Sequence, residues 1–464
     1  IPALCYLKEI NEIGACRMCI VEVKGARSLV ASCVYPINPG MEVWTNTPKV
    51  IESRKKTLEL LLSNHKKECL SCVRSGNCEL QQLCKELGVE DQNYYDGEMT
   101  PAMIDTSAAH MVRDNSKCIL CRRCSAVCEK VQGIGVIGPN ERGFKSYIGT
   151  AFNMDLADTS CVSCGQCMVS CPFGAIADKS QIFQLIRCMK EGGEVIAEIA
   201  PAFVGQFGPG ATPKHVKAAL LELGFSEVVE VALGADIGAV AEAHHYANHV
   251  ATGELPFLLT SCCPAWSMLA KTQFPDLIGS VSSELTPMVA TARSIKKEHP
   301  NAKVVFIGPC AAKKLEASRR TVRSDVDFVI TFEELDAMFA AKGIDPNQTE
   351  GESSMHDATA AGRGYACAGG VADAIEKCVH EYYPDVDVKI EHAEGLAECK
   401  KMLMLAKAGK MNGYMIEGMG CPGGCIAGAG TILPIPKAKQ EIEKIKKAST
   451  KQLPPKELRE IELN

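Results

Sequence analysis

The chain has 464 residues, is 46% apolar and carries a net charge of −6, which suggests roughly three or four domains with ample cores and gives no case for nucleic-acid binding. Its 25 cysteines, many at Cys-x-x-Cys spacing in so long a chain, argue for reduced thiolate metal ligands rather than a secreted disulfide framework. No apolar run reaches the length of about 18 residues that a membrane span needs, and the opening "IPALCYLKEI" has neither a charged n-region nor an h-region, so neither a span nor a secretory signal is expected.

Residues 1–48 hold Cys5, Cys16, Cys19 and Cys33, and "CIVEVKGARSLVASCV" reads as two strands around a Lys24-Gly25 turn. A compact set of cysteines with one set apart fits a plant-type [2Fe–2S] ferredoxin-like domain. The spacing departs from the plant C-x4-C-x2-C loop, which leaves a buried structural thiol as the alternative for Cys5 or Cys33.

Residues 49–105 carry "HKKECLSCVRSGNC", with His65, Cys69, Cys72 and Cys78 in a His-x3-Cys-x2-Cys-x5-Cys pattern. Three thiolates and an imidazole suit zinc or an iron–sulfur cluster alike. The reading adopted is a His-ligated [4Fe–4S] domain, with His65 closing the amphipathic "TLELLLSNH" and Cys84 a packed helix residue outside the set.

Residues 106–185 repeat C-x2-C-x2-C-x3-C twice, as Cys118, Cys121, Cys124, Cys128 and as Cys161, Cys164, Cys167, Cys171. In two-cluster ferredoxins the fourth cysteine of each run ligates the other cluster. One [4Fe–4S] is therefore assigned to Cys118, Cys121, Cys124 and Cys171, and the second to Cys161, Cys164, Cys167 and Cys128.

From residue 186 to 464 the pattern becomes α/β: "EVIAEIA", "FLLTS" and "KVVFIG" read as buried strands, and "HVKAALLELGF", "FEELDAMFAAKG" and "GGVADAIEKCVHEYY" as helices. Ligands of open α/β sheets gather beyond strand C-termini. Cys263 follows one such strand and Cys310 another, while Cys421 and Cys425 lie in a glycine-rich loop. Four thiolates from three loops can close one more [4Fe–4S] site.

At these residues a resemblance enters. "TSCCPAW", "GPCAAKK" and "EGMGCPGGC" resemble, in order, the three signature motifs of the [FeFe]-hydrogenases, and the accessory cluster order in front is similar to that of the larger clostridial-type members. The resemblance implies a two-lobed α/β catalytic domain with an H-cluster between the lobes, preceded by α+β ferredoxin-like iron–sulfur domains. It implies that Cys263, Cys310, Cys421 and Cys425 hold the cubane of the H-cluster. Cys425 would also bridge to a two-iron subsite with carbonyl, cyanide and an azadithiolate, where H2 is cleaved heterolytically. The neighbour in the Cys262-Cys263 pair, Cys262, would then be the proton donor and acceptor.

By the same resemblance Lys313 contacts a cyanide, Met419 packs over the subsite, and Glu242 and Ser282 continue a proton path from Cys262. The next two positions of that path are His245 and His249 here, where the family has glutamate and arginine; a surface face or a metal pair is the alternative for the two histidines. Gly308, Ala202, Met288 and "GAGT" also depart from the usual pattern. Lys314 reads as a solvated charge, and the charged C-terminal segment "PIPKAKQEIEKIKKASTKQLPPKELREIELN" as a solvated tail with a break at Pro454-Pro455.

The expected activity is H2 ⇌ 2 H+ + 2 e−, served by the H-cluster, three accessory [4Fe–4S] clusters and one [2Fe–2S]. No dinucleotide fingerprint, P-loop or flavin motif is evident. The expected partner is therefore an electron-carrying protein, either ferredoxin or other subunits of a complex such as a hydrogen-dependent CO2 reductase or an electron-bifurcating hydrogenase, in the cytoplasm of an anaerobic bacterium. The competing reading is a non-catalytic electron-transfer, redox-sensing or cluster-assembly protein.

Overall fold

A computed structural model of the chain describes residues 1–90, 99–351 and 353–463. It divides into two compact units: the first comprises Ile1–Cys161 and Gln166–Lys179, the second Val162–Gly165 and Ser180–Asn464.

In the first unit, strand Ile20–Val23 pairs antiparallel with Val30–Ala31 and with Val43–Trp44. The turn after the first of these strands uses Gly25 at φ 84°, a left-handed geometry that costs glycine nothing. Helix Pro48–Ser63 opens on Thr47, whose side chain accepts from the Val50 amide, with proline in the first turn. Helix Glu79–Leu87 ends on left-handed Gly88. Strands Ile104–Asp105, Met111–Asp114 and Ile176–Asp178 then form a second antiparallel sheet.

In the second unit two parallel sheets form the frame. One has the order Glu227–Glu230, Val195–Ile199, Lys303–Gly308, Phe328–Thr331. The other has the order Leu258–Leu259, Tyr414–Met419, Lys389–Glu394. The central strands are buried on both faces: all five residues of Val195–Ile199 and five of the six in Lys303–Gly308 are buried. Continuous apolar runs such as "KVVFIG" are what a parallel sheet covered by helices requires.

Two sequence expectations are corrected in this unit. Lys314 is no solvated charge: it is 4% exposed and donates to Glu334 Oε2 at 3.0 Å. Glu334 in turn closes the capping box of helix Phe332–Lys342 with Thr331, so the ammonium is held where a carboxylate is already fixed. The C-terminal segment is no solvated tail either. Helix Ile435–Ala448 buries Ala438 and Ile442 in the main core, and Arg293 donates to the Leu463 carbonyl at 2.7 Å. Among the described residues no helix is long and apolar enough to cross a membrane.

Candidate active site

The strand ends of both sheets meet at one cavity of about 70 Å³. The segment Ala200–Ala202 reaches it after strand Val195–Ile199, Pro309 and Cys310 after Lys303–Gly308, Cys262 and Cys263 after Leu258–Leu259, and Met419 from the end of Tyr414–Met419. This is the C-terminal edge at which α/β sheets hold ligands.

The "TSCCPAW" segment is pinned from both sides. The Thr260 amide extends the sheet by donating to the Ile416 carbonyl at 3.0 Å, and Pro264 opens helix Pro264–Gln273. Trp266 is fully buried, donates to the Thr260 carbonyl at 2.9 Å, and lies where a Cβ on Gly418 would come within 2.1 Å of its ring. Between these anchors the paired thiols are fixed, and both border the cavity. Successive side chains of an extended segment point to opposite faces, yet both thiols border this cavity.

Cys263, Cys310 and Cys425 border the cavity, and Cys421 lies within the electrostatic reach of all three. Cys263 Sγ accepts from the Gly420 amide at 3.4 Å. Gly424 has φ 87°, and a Cβ there would sit 2.3 Å from the Ala368 amide nitrogen, so the Cys421–Cys425 loop closes only with glycine. Burial pushes the Cys310 thiol up to about 11 and those of Cys421 and Cys425 well above their usual range. Such thiols give up their protons to a metal rather than to water. The remaining walls are apolar except for Lys313 and Tyr365.

Lys313 is the one cation on the cavity wall. Burial disfavours its charge, but the Glu316 carboxylate, accepting from Nζ at 2.5 Å, more than offsets this and leaves it raised. Nζ also lies 3.4 Å from the Cys262 carbonyl and 3.4 Å from Thr286 Oγ1. Four sulfurs, one fixed ammonium and dry walls fit an iron–sulfur group with anionic ligands.

Of the residues expected to carry protons from Cys262, Glu242 interacts with Cys262 and Ser282, and His245 with His249. Glu242 is 4% exposed; burial pushes its carboxyl up to about 7, against hydrogen bonds from the Ser282 hydroxyl and the Ser261 amide. Burial also pushes the Cys262 thiol well up, and Glu242 is the nearest charge adding to the effect. His245 lies below its ordinary value through burial and the neighbouring His249; the two rings pack edge to face at 4.9 Å. His249 Nδ1 meets Glu254 Oε2 at 2.7 Å on the surface.

Sequence reasoning missed several groups. Glu284 acts on both Glu242 and His245, its amide donating to Ser282 Oγ at 3.3 Å and its carbonyl accepting from Ser261 at 3.1 Å. Glu316 stands three residues after Lys313, a helical spacing that could have flagged it. Glu417 is wholly buried, accepts from the Gly369 and Ala372 amides at 2.9 and 2.8 Å and is pushed by burial to about 7. Glu198 is also wholly buried beside Lys313 and Glu316, and neither of its oxygens has a partner among the described residues.

In the first unit, Cys118, Cys121, Cys124 and Cys171 line one small cavity, the crossed set that the spacing implies. Their loop holds Leu120 and Arg122 at positive φ, strain of the kind found at ligand clamps. His65, Cys69, Cys72 and Cys78 line another cavity of about 380 Å³, with Cys84 also on its wall. The His65 ring bonds the Lys117 carbonyl, while its Nδ1 is buried without a partner among the described residues, the arrangement of a ligating imidazole. Leu4 donates its amide to Cys16 Sγ at 3.4 Å, and Cys19 and Cys33 sulfurs stand 3.4 Å apart. Cys16 and Cys5 share a hydrogen bond that lowers the first, to about 5, and raises the second. Cys128 lies in the π-helical turn Val127–Val131 and Cys167 in helix Gln166–Ser170, where its sulfur is 3.7 Å from that of Met111. Cys161 takes an amide bond to Thr159 Oγ1, and Cys164 lies in the short segment Val162–Gly165. Among the described residues no three ligand side chains converge as they would on a single metal ion; cubane ligands stand farther apart.

A two-sheet α/β unit with a thiol-lined cavity, behind cysteine-rich ferredoxin-like folds, defines an iron–sulfur oxidoreductase. Residues 193–429 match the family described as "Iron only hydrogenase large subunit, C-terminal domain". In front, residues 1–48 match a 2Fe-2S iron-sulfur cluster binding domain, 54–93 the NADH-ubiquinone oxidoreductase-G iron-sulfur binding region, and 117–175 a 4Fe-4S dicluster domain. The chain is 34% identical to the NADP-reducing hydrogenase subunit HndD of Solidesulfovibrio fructosivorans, over 93% of this chain and 83% of that one. It is 28% identical to iron hydrogenase 1 of Clostridium pasteurianum, over 96% of this chain and 86% of that one. A solved [FeFe]-hydrogenase shares the fold, with a TM-score of 0.52 at 22% identity over 61% of this chain and 95% of its own. The chain therefore belongs to the iron-only hydrogenase large-subunit family: an oxidoreductase acting on H2, with [2Fe–2S] and [4Fe–4S] domains ahead of its catalytic domain.

Proposed function

We propose that the chain interconverts H2 with protons and electrons at an H-cluster whose cubane is held by Cys263, Cys310, Cys421 and Cys425. The observation that carries this is that Cys263, Cys310 and Cys425, from three separate loops, border one cavity with Cys262 and Lys313, while Cys421 lies within the electrostatic reach of the other three ligands. When bound, the H-cluster, with its carbonyl, cyanide and azadithiolate ligands, supplies the site of H2 cleavage and takes up the electrons.

The chain's own residues do the rest. Cys262 gives and takes a proton at Sγ, and Glu242 exchanges it at its carboxyl with the help of the Ser282 hydroxyl. Glu284 and His245 carry it outward, and His249 with Glu254 forms the exposed end. Lys313, fixed by Glu316, holds positive charge against anionic ligands. Met419 fills one wall.

Three [4Fe–4S] clusters would be held by Cys118, Cys121, Cys124 and Cys171, by Cys128, Cys161, Cys164 and Cys167, and by His65, Cys69, Cys72 and Cys78, and would supply a relay for single electrons. A [2Fe–2S] on Cys5, Cys16, Cys19 and Cys33 offers a further exit. The domain limits follow these sets, at 1–48, 49–105, 106–185 and 186–464. The relative named as an NADP-reducing hydrogenase subunit supports a multi-subunit complex in the cytoplasm, in which nicotinamide chemistry sits on a partner; the G-x-G-x-x-G runs of this chain, Gly133–Gly138 and Gly418–Gly423, do not join a strand to an α-helix as a dinucleotide fingerprint does.

The test is infrared spectroscopy on anaerobically matured protein, under H2 and then CO, where metal-bound carbonyl and cyanide absorb. Bands that shift between the gases are expected. A featureless window with the cubanes intact by electron paramagnetic resonance refutes the enzyme and favours electron transfer alone.

A further inference from the structure

Tyr365 follows the short helix Ala360–Gly364 and is 6% exposed. It borders the same cavity as Cys262, Met419 and Cys425. Its hydroxyl oxygen is buried and has no hydrogen-bond partner among the described residues. Buried hydroxyls are paired as a rule, and an exception marks strain, a catalytic contact or a ligand. Phenylalanine would fill the same space without the penalty of an unpaired donor, so the oxygen is present for a contact.

The position narrows what that contact is. The charges acting on the Tyr365 hydroxyl are, in order, those of Glu242, Cys262, Cys378 and Asp236, and the first two are the groups to which the proton exchange is assigned above. Apart from thiols, Lys313 and Tyr365 are the only side chains on the wall with a proton to donate, and Lys313 is already held by Glu316. Ala202 and Met288, also on the wall, offer no donor. With no acceptor for it among the described residues, the hydroxyl is free to bond what the cavity holds.

We propose that Tyr365 donates a hydrogen bond from its hydroxyl to an anionic ligand of the group bound in this cavity, on the side that Cys262 occupies. It supplies a polar contact on a wall where Ala202 and Met288 offer none. The inference rests on the H-cluster reading given under Proposed function, and it makes Tyr365 a cofactor-contacting residue of this chain, with Lys313 on the same wall.

The test compares Tyr365→Phe with the unaltered full chain in two states. In protein produced without maturation, thermal unfolding should occur at the same temperature or higher in the variant, because the deleted oxygen bonded nothing in the protein. A clear fall in Tm means that the hydroxyl has a protein partner, and overturns the proposal. In matured protein, at least one cyanide band should move in the infrared spectrum of the variant, with iron content unchanged. Replacing Tyr365 by 3,5-difluorotyrosine, a more acidic donor of nearly the same shape, should move that band the opposite way, and covers the case of a Phe variant that does not accumulate. Bands present but unmoved in both variants overturn this inference alone. A wild type without bands overturns it together with the function on which it rests.

Discussion

Substituting Glu242→Gln separates the two things that this residue does, because one of them depends on pH and the other does not. The carboxyl has an ordinary value of 4.5 and is pushed to about 7 by burial. In the unfolded chain it ionises above its ordinary value, while in the folded protein it keeps its proton until about pH 7. Folding therefore loses stability as pH rises from about 4.5 to 7 and regains none above, a total of about 3 kcal/mol at about 1.4 kcal/mol per pH unit. Glutamine has no charge to bury. The variant should match the wild type near pH 4.5 and exceed it in stability by up to about 3 kcal/mol at pH 8. Unfolding of the catalytic unit can be followed by denaturant titration with the emission of Trp266, which is fully buried there. Over the same range H2 turnover should fall by about 100-fold or more, the usual worth of a positioned proton-transfer group. Parallel stability curves across pH would refute the burial argument, and turnover within a few-fold of wild type would remove Glu242 from the proton path.

The remaining predictions use neighbouring groups. Cys262→Ala should leave the iron content intact while turnover drops by about 100-fold or more, whereas Cys263→Ala should lose cluster iron by metal analysis; equal iron losses would make both cysteines ligands. Lys313→Met strands Glu316 in a buried site and should cost about 3–5 kcal/mol, most of it recovered in the Lys313→Met/Glu316→Gln double variant; an additive double variant would show that the two side chains do not depend on each other. Glu284→Gln removes a carboxylate that favours the charged form of His245, which also faces His249 and Glu254. The His245 pKa should then move further below 6.5, shifting the acid limb of the turnover profile to lower pH. An unchanged profile would remove Glu284 from the route.

What was legible in the sequence follows from how the chemistry is written in it. Cysteine spacing is a property of adjacent residues, so the sets at Cys118, Cys121, Cys124 and Cys171 and at His65, Cys69, Cys72 and Cys78 could be read before any fold was known, and each lines one cavity. Strands such as "KVVFIG" were equally plain, since a run buried on both faces has no polar residue to interrupt it. Interactions across the fold leave no such trace. Lys314 looks like half of a charged pair of lysines until Glu334, twenty residues on, supplies its partner. The helix Ile435–Ala448 exposes most of its charged residues, and Ala438, Ile442 and the half-buried Ile445 fix it to the core, a stripe too narrow to stand out in so polar a segment. Glu284 and Tyr365 belong to the site solely through what lies opposite them.

The altered outer half of the proton route has an energetic logic of its own. Glu242 holds its proton to about pH 7, and His245 lies below 6.5. Transfer from the imidazolium inward to the carboxylate is thus downhill, and the outward step is uphill by the same margin. A solvent-facing glutamate at the outer position, with an ordinary value of about 4.3, would stand further below Glu242 and make the outward step steeper. A histidine, with an ordinary value of 6.5, starts closer to Glu242 than a glutamate does, and burial of Glu242 sets the gap from the inside. A carboxylate at Glu284 adds to the proton affinity of both neighbours at once. If the proposed route is the one used, it would pass protons in both directions near neutral pH, which is what a reversible exchange of H2 with protons demands of the protein around it.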